Sequence, residues 1–250
     1  MVKVLGNLDE IRPAYFLKAF GKEVKNMRIF SFGLCNFLCP YCKRMNNAIA
    51  GAKNVSENEL FAKIDEALKN EEVVRLSGGD PSMYPKLSVE LLEYAKNKNG
   101  ITSIAHNGSN VKYIEKVMPY LDFAAIDVKG STPEKFAKRT GISIETAEKM
   151  LKNALAIQDM LADAGILVDI RTCVFSDDTK DDLIKLADMI FYRGTKNKFW
   201  TVRLYQPVEG CSWEPLPYDV TINYLQEIKE NNKDIKLGVR TNWKGGFIFL

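Results

Sequence analysis

The sequence predicts an α/β fold, a partial (β/α)6 TIM-like barrel, and three observations support this prediction. Short apolar runs alternate with amphipathic helical stretches from about residue 27 to residue 206, and such alternation is typical of a parallel sheet with crossover helices. Neither low-complexity sequence nor an obvious linker interrupts the alternation. Polar motifs follow the predicted strands, at the end where barrel enzymes build their sites.

Six units of strand and helix can be placed in order. The predicted strands are Met27–Gly33, Val73–Ser77, Ile101–Ala105, Phe123–Val128, Ile166–Val174 and Phe199–Tyr205. The predicted helices run from a Ser56–Glu59 capping box to about Leu68, and then over Lys86–Lys98, Val111–Val117, Ile144–Ala164, Asp181–Phe191 and Val220–Glu230. Six such units form an incomplete barrel rather than the closed eight-stranded one.

The composition is that of one domain. The 250 residues are 46% hydrophobic and 27% charged, so they can bury a full core, and we expect a single domain over residues 1–250. Basic and acidic side chains nearly balance, at 35 to 32, and no basic stripe with interleaved aromatics indicates nucleic-acid binding. No apolar run has the length of a membrane span. The low cysteine content favours the reducing cytoplasm.

The most specific motif is the run Cys35, Cys39 and Cys42, at C-x3-C-x2-C spacing. Thiolates hold iron–sulfur clusters, and a cluster used only for electron transfer normally has four of them. Three thiolates in one loop would leave one iron of a [4Fe-4S] cluster open to a ligand that is not protein. Two alternatives are weaker, because zinc needs four closed ligands and a disulfide framework does not suit five cysteines without a secretory signal.

Gly78, Gly79 and Asp80 follow the second predicted strand. The two glycines lack Cβ atoms, so backbone there can approach a ligand closely, and the carboxylate can accept a bond from a ligand ammonium group. The alternative is an ordinary strand-to-helix turn, because Gly-Gly-Asp-Pro is good turn chemistry.

Polar residues also end the third, fourth and fifth predicted strands. His106 and Asn107 follow the third, and a lone histidine is more often a hydrogen-bonded packing residue than a catalyst. Asp127 and Lys129 lie two apart, so both face one side of the fourth strand. Arg171 could bind a carboxylate in a bidentate way or form an ion pair at the barrel mouth.

Together these residues resemble the radical S-adenosylmethionine (SAM) superfamily from about Met27 to Gln206. The cysteine run matches its signature, and Gly78 to Pro81 is similar to its Gly-Gly-Glu-Pro segment, with Asp80 in place of Glu. Three further segments are similar to those of glycyl-radical-enzyme activases, such as the activating proteins of anaerobic ribonucleotide reductase and pyruvate formate-lyase: Asn107–Gly108, Phe123–Gly130 and Arg171–Val174.

The resemblance implies a [4Fe-4S] cluster on the three cysteines and SAM at its open iron. It implies that Asp127 and Lys129 position SAM for catalysis, and that the other SAM contacts are Tyr41, Gly78, Gly79, Asp80, Asn107 and Arg171. An electron from a flavodoxin-like or ferredoxin-like donor would drive the cleavage of SAM to methionine and a 5′-deoxyadenosyl radical, which takes a hydrogen atom from the substrate. The chemistry requires anaerobic conditions.

Three functional classes stay open. The first is an activase that makes a glycyl radical on a partner enzyme, and the second is a radical SAM enzyme acting on a small molecule or a peptide. The third, a non-enzymatic iron–sulfur or zinc module, is disfavoured because six motifs, including Tyr205-Gln206-Pro207 after the sixth strand, cluster at strand ends. The loop Pro207–Pro217 is either a lid over the barrel mouth or an ordinary surface loop.

Overall fold

The computed structural model describes residues 1–4, 10–42, 52–241 and 246–250. Within these ranges the strands are β1 (Val2–Val4), β2 (Ile11–Pro13), β3 (Asn26–Phe32), β4 (Lys53–Val55), β5 (Val73–Gly78), β6 (Thr102–His106), β7 (Phe123–Asp127), β8 (Leu167–Val174), β9 (Lys198–Leu204), β10 (Leu237–Arg240) and β11 (Phe247–Phe249). The α-helices are α1 (Glu57–Lys69), α2 (Pro85–Asn97), α3 (Val111–Val117), α4 (Pro133–Thr140), α5 (Ile144–Asp163), α6 (Lys180–Phe191) and α7 (Tyr218–Asn231).

These strands form one sheet in the order β11-β10-β9-β8-β7-β6-β5-β3-β1-β4, with β2 also paired to β3. Neighbouring strands from β3 through β5 to β10 are parallel, and helices connect them. Within the described residues β4 and β11 do not pair, so the barrel is partial, as predicted. All six predicted strands are present, and β10 adds a further parallel strand after α7.

Local sequence explains where most helices begin. Five of them start after a Ser, Thr or Asn whose side chain accepts a hydrogen bond from the backbone N–H three residues later, which satisfies one of the free donors of the first turn. These N-caps are Ser56, Asn110, Thr132, Ser143 and Thr179. None of the described helices combines the length and the apolar character that a membrane span requires.

Successive side chains along each strand point alternately into the apolar core and into the barrel interior. On β5, Val74 and Leu76 are fully buried in the apolar layer under the helices, and each such side chain contributes about 1.5–3 kcal/mol by leaving water. Arg75 and Ser77 point the other way and line the interior. The same alternation on the neighbouring strands places the polar residues of the barrel on one inner surface.

A second apolar cluster closes the barrel at the amino ends of the strands. A 3-10 helix, Tyr15–Phe20, places Phe16 there, and its ring lies 5.5 Å from the ring of Phe123 and 6.4 Å from that of Phe199. Met27 and Val73 complete the same cluster. The interior is therefore filled at this end and open toward the carboxyl ends of the strands.

Candidate functional site

A cavity of about 920 Å³ occupies the barrel interior, from the cluster around Phe16 up to the carboxyl ends of the strands. Of the site residues predicted from the sequence, all except Asp80 line this cavity: Cys35, Cys39, Tyr41, Cys42, Gly78, Gly79, Asn107, Asp127, Lys129 and Arg171. The fold thus brings together motifs that lie more than a hundred residues apart in the chain.

The cysteine loop follows β3 and is anchored to the neighbouring structure. Leu38 N–H donates to Thr140 O (2.9 Å), and Cys42 N–H donates to Cys39 O (3.0 Å). Burial raises the pKa of the Cys39 thiol to about 11 and also raises the pKa of Cys35. A cluster that bound these thiols would displace their protons, so its binding would be coupled to proton release.

The donor set suits an iron–sulfur cluster. Cys35, Cys39 and Cys42 are free thiols that share one cavity, and soft thiolate ligands are those that such clusters use. In the described part of the chain, no three His, Cys, Asp or Glu side chains are arranged around a single metal ion. A [4Fe-4S] cluster does not require its ligands to surround a single ion, because each thiolate binds a different iron.

The two glycines after β5 let this turn dock against the cysteine loop. Gly79 N–H donates to Phe32 O and Asp80 N–H donates to Leu34 O, each at 2.7 Å. A Cβ atom on Gly78 would lie 2.2 Å from Phe32 N, and one on Gly79 would lie 2.1 Å from Leu34 O. The missing Cβ atoms therefore face protein backbone, and a backbone contact from these glycines to SAM stays a prediction.

Asp80 is fully buried and its carboxylate is held by protein donors. His106 Nδ1 lies 2.8 and 2.9 Å from the two carboxylate oxygens, and the N–H groups of Asn107 (2.8 Å) and Ser82 (2.9 Å) also donate to them. His106 Nε2 accepts from Asn110 N–H (3.2 Å), which assigns the ring proton to Nδ1. Burial raises the pKa of Asp80, but His106 and the other donors lower it below its usual value.

This arrangement makes Asp80 a link between the turn after β5 and the loop after β6. It also agrees with the interpretation of His106 as a hydrogen-bonded packing residue. The predicted contact between Asp80 and the ammonium group of SAM stays a prediction.

Asn107 extends the link to the first cysteine. Its Nδ2 donates to Asn36 Oδ1 (2.7 Å) and lies 3.8 Å from Cys35 Sγ. Its Oδ1 accepts from Ser109 N–H (3.1 Å), and Asn36 Nδ2 donates to Ser109 Oγ (3.0 Å). The loop after β6 therefore positions the beginning of the cysteine loop.

Asp127, Lys129 and Arg171 form one ion-paired group at the cavity wall. Lys129 Nζ lies 2.9 Å from Asp127 Oδ2, and Arg171 Nε and Nη2 lie 2.8 and 2.7 Å from Asp127 Oδ1. Burial raises the pKa of Asp127, but Arg171 and Lys129 outweigh it and hold that pKa well below its usual value. The ion pair that the sequence allowed for Arg171 is present, and the contacts of all three residues with SAM stay predictions.

Tyr41 lies in an aromatic cluster beside the third cysteine. Its ring centre is 4.9 Å from that of Phe175 and 5.8 Å from that of Trp213, and burial raises the pKa of its phenol. Trp213 belongs to the loop Pro207–Pro217, which is also held by a bond from Ser176 N–H to Glu214 O (2.8 Å). This loop therefore lies against the site, where the lid interpretation requires it.

Four charged residues that line the cavity were not predicted from the sequence. The cavity is also lined by Arg75, Asp169, Arg203 and Arg240. The sequence does contain a signal for Arg75. It is the one charged residue in the apolar run Val73–Leu76, and it lies two residues before Ser77, so both side chains face the same side of the strand. A single charged residue at an inward position of a buried strand indicates a polar interior.

Comparison with known proteins agrees with this arrangement. A candidate glycyl-radical enzyme activating enzyme of Methanocaldococcus jannaschii is 28% identical over 219 residues, which cover 82% of this chain and 85% of that protein. A GTP 3′,8-cyclase of Campylobacter jejuni is 28% identical over 236 residues, covering 86% of this chain and 68% of that protein.

Structural comparison supports the fold alone. The crystal structure of a radical SAM methyltransferase from Sphaerobacter thermophilus superposes with a TM-score of 0.67 at 13% identity, covering 87% of this chain and 66% of that chain. The profile of the radical SAM superfamily matches residues 29–190, which is more than half of the chain. The chain is therefore an enzyme of the radical SAM superfamily, whose members use a [4Fe-4S] cluster and SAM.

Proposed function

We propose that Cys35, Cys39 and Cys42 hold the cluster, that SAM is cleaved reductively there, and that the radical so formed takes a hydrogen atom from a glycine of a partner glycyl radical enzyme. Superfamily membership supports the cleavage of SAM. The similarity to the activating enzyme of M. jannaschii, which extends over most of both chains, carries the activase assignment.

The residues of the chain bind and orient, while the bound cluster and SAM supply the radical chemistry. Lys129 has three donors, of which one faces Asp127, so the others are available to the carboxylate of SAM. Arg171 and Asp127 fix Lys129 in place. Asn107 positions the cysteine loop. Tyr41 shields this loop on the side that faces Trp213.

A partner loop would enter at the carboxyl ends of the strands, because the cluster around Phe16 fills the other end of the barrel. A flavodoxin-like or ferredoxin-like protein would supply the electron, in the cytoplasm. These partners belong to the proposal together with the activase assignment.

A small-molecule substrate is the second candidate. The cavity extends past the ion-paired group at its wall to Arg75 on β5, which gives room below the mouth for a molecule of modest size. The similarity to a protein named GTP 3′,8-cyclase supports this alternative.

The test is anaerobic. Reconstituted protein should bind about four irons per chain and form 5′-deoxyadenosine from SAM with dithionite, and adding a candidate partner should give a glycyl radical signal in electron spin resonance. Cys39→Ala should abolish iron binding, while the matched variant Cys211→Ala should retain it.

Two results would separate the parts of the proposal. Formation of 5′-deoxyadenosine without a radical on any glycyl radical enzyme from the same organism would contradict the activase assignment alone. Stoichiometric zinc with no iron uptake would contradict the assignment of the cluster to the three cysteines.

A further inference from the structure

Arg75 is a buried guanidinium that forms no ion pair with a described carboxylate, although Asp169 and Asp127 lie close enough to oppose the lowering of its pKa by burial. It is 4% exposed, and its Nη1 donates to Met27 Sδ at 3.0 Å, although a thioether is a weak acceptor. Its Nη2 is buried and makes no hydrogen bond to the described residues. Leaving such a charge unpaired away from water is costly.

Other buried arginines of the same chain show the usual arrangement. Arg28 lies 2.7 Å from Glu72 and 3.0 Å from Glu66. Arg139 lies 2.9 Å from both Asp177 and Asp178. Both of these guanidinium groups pair with carboxylates outside the barrel, whereas Arg75 in the interior does not form such a pair with a described residue.

Two further arginines share the environment of Arg75. Arg203 on β9 and Arg240 on β10 are neighbours in the parallel register, and Arg203 Nε is buried without a hydrogen-bond partner among the described residues. Burial together with Arg171 and Arg240 lowers the pKa of Arg75 to about 9. Burial together with Arg203 and Arg12 lowers the pKa of Arg240 to about 10, so these arginines repel one another and are still charged at neutral pH.

The charges that line the cavity do not balance. Its described lining contains six cationic and three anionic side chains, namely Arg12, Arg75, Lys129, Arg171, Arg203 and Arg240 against Glu10, Asp127 and Asp169. Asp127 pairs with Lys129 and Arg171, and Glu10 pairs with Arg12. SAM would not correct the excess, because its sulfonium and ammonium groups outweigh its carboxylate.

We propose that Arg75, Arg203 and Arg240 form a subsite inside the barrel for an oxyanion, a phosphoryl or carboxylate group of a small molecule. Guanidinium groups bind such oxygens in a bidentate way. Arg75 precedes Gly78 by three residues on β5, so its Cα lies about 10 Å below the turn after that strand. Arg203 and Arg240 stand at the carboxyl ends of β9 and β10, so the subsite extends from the mouth, to which the proposed function assigns SAM, down to Arg75. It does not depend on a glycyl radical partner.

Titration calorimetry on the reconstituted full-length protein, with SAM present at saturation, tests this subsite. Inorganic phosphate, pyrophosphate and citrate are the probes, and glycerol is the neutral control. We expect at least one of the three anions to bind and glycerol not to bind. Arg203→Gln should weaken anion binding about tenfold or more, as expected for the loss of a charged hydrogen bond, whereas the exposed Arg193→Gln should leave it within about twofold.

Arg75→Met adds a readout that a structural arginine would not show. The methionine side chain is of similar length and apolar, so removing the unpaired charge should abolish anion binding and raise Tm. Binding of none of the three anions by the parent protein would overturn the proposal, as would unchanged binding by Arg203→Gln. Binding of an anion only when SAM is omitted would assign the arginines to the carboxylate of SAM instead. Where Arg75→Met does not fold, Arg203→Gln decides the question.

Discussion

Lys129 and Arg171 share the carboxylate of Asp127. Substitutions of these three residues are therefore expected to affect stability to different degrees. Removing Asp127 would take from two partly buried cations the carboxylate that they share, which is costly. Removing Lys129 leaves Asp127 bound to Arg171 through Nε and Nη2 (2.8 and 2.7 Å). Lys129 is therefore the position at which a role in SAM binding can be separated from a role in stability.

Lys129→Gln should lower the rate of 5′-deoxyadenosine formation about tenfold to a hundredfold, because one charged hydrogen bond to SAM is lost. Iron content should be unchanged, and Tm should change little, since Asp127 keeps a cationic partner. Product formation is measured by chromatography under anaerobic conditions. A variant that cleaves SAM like the parent but melts much lower would show that Lys129 serves only the ion pair.

Substitutions of Asp80 and His106 distinguish a structural role of the Asp80 carboxylate from a role in SAM binding. Because the carboxylate holds His106 and Asn107 N–H, we expect Asp80→Ala and His106→Gln to lower the free energy of unfolding together, each by about 1–3 kcal/mol. Urea unfolding of the two variants measures this. If instead Asp80→Ala loses SAM binding at unchanged stability while His106→Gln retains it, the carboxylate contacts the ammonium group, as the sequence predicts.

The residues of the candidate site were only partly predictable. Cys35, Asp127 and Lys129 could be found because their spacing and their position at strand ends carry the signal. Arg75 carried a signal, as a lone charge at an inward position of an apolar strand, but its proximity to Arg240 could not be predicted because it depends on how the two sides of the barrel meet. The hydrogen bond from His106 to Asp80 likewise depends on the relative height of β5 and β6, which the sequence does not encode locally.

At the scale of elements, the cysteine loop and the turn after β5 stabilise each other through Gly79. We expect Gly79→Ala to unfold at much lower temperature and to bind less iron, because the added Cβ would lie 2.1 Å from Leu34 O. Gly165→Ala is the control, since its Cβ meets nothing within 4 Å and its left-handed φ costs about 1–2 kcal/mol.

Iron content and thermal unfolding of the two glycine variants measure this coupling. Full iron content and parental Tm in Gly79→Ala would show that the turn and the loop are not coupled.

Helices and strands were predicted correctly where the hydrophobic pattern extends over many residues, and they were missed where it covers only a few. The predicted strand Ile166–Val174 and helix Ile144–Ala164 agree with β8 and α5 to within one residue at each end. Strands of three or four residues, such as β1, β2 and β10, are too short to show alternation. Helix α4 was overlooked although Thr132 before Pro133 is a good start signal.

At the scale of the whole molecule, the segment before β3 belongs to the core of the barrel. Phe16 packs against Phe123 on β7 and Phe199 on β9, so the N-terminal residues connect strands that are far apart in the chain. This packing supports the expectation of a single domain over residues 1–250, with the barrel at about 27–206.

Phe16→Ala should lower the free energy of unfolding by about 3–5 kcal/mol, because it opens a cavity among buried aromatic rings. Tm should fall on the order of 10 °C for a chain of this size, while Tyr192→Ala, at a side chain that is 88% exposed, should have almost no effect. Circular dichroism during heating measures both, and we expect one transition in each case. Two transitions in the parent protein would contradict the single-domain expectation.

The filled amino end of the barrel has a kinetic consequence. Phe16 and its neighbours close the amino end, and the site motifs line the cavity at the carboxyl ends, so we expect a substrate to enter there. A small molecule whose oxyanion rests on Arg75 then lies beneath the position proposed for SAM. It would have to arrive before SAM and depart after methionine and 5′-deoxyadenosine, so turnover would follow a compulsory order, with SAM in excess trapping the small molecule inside.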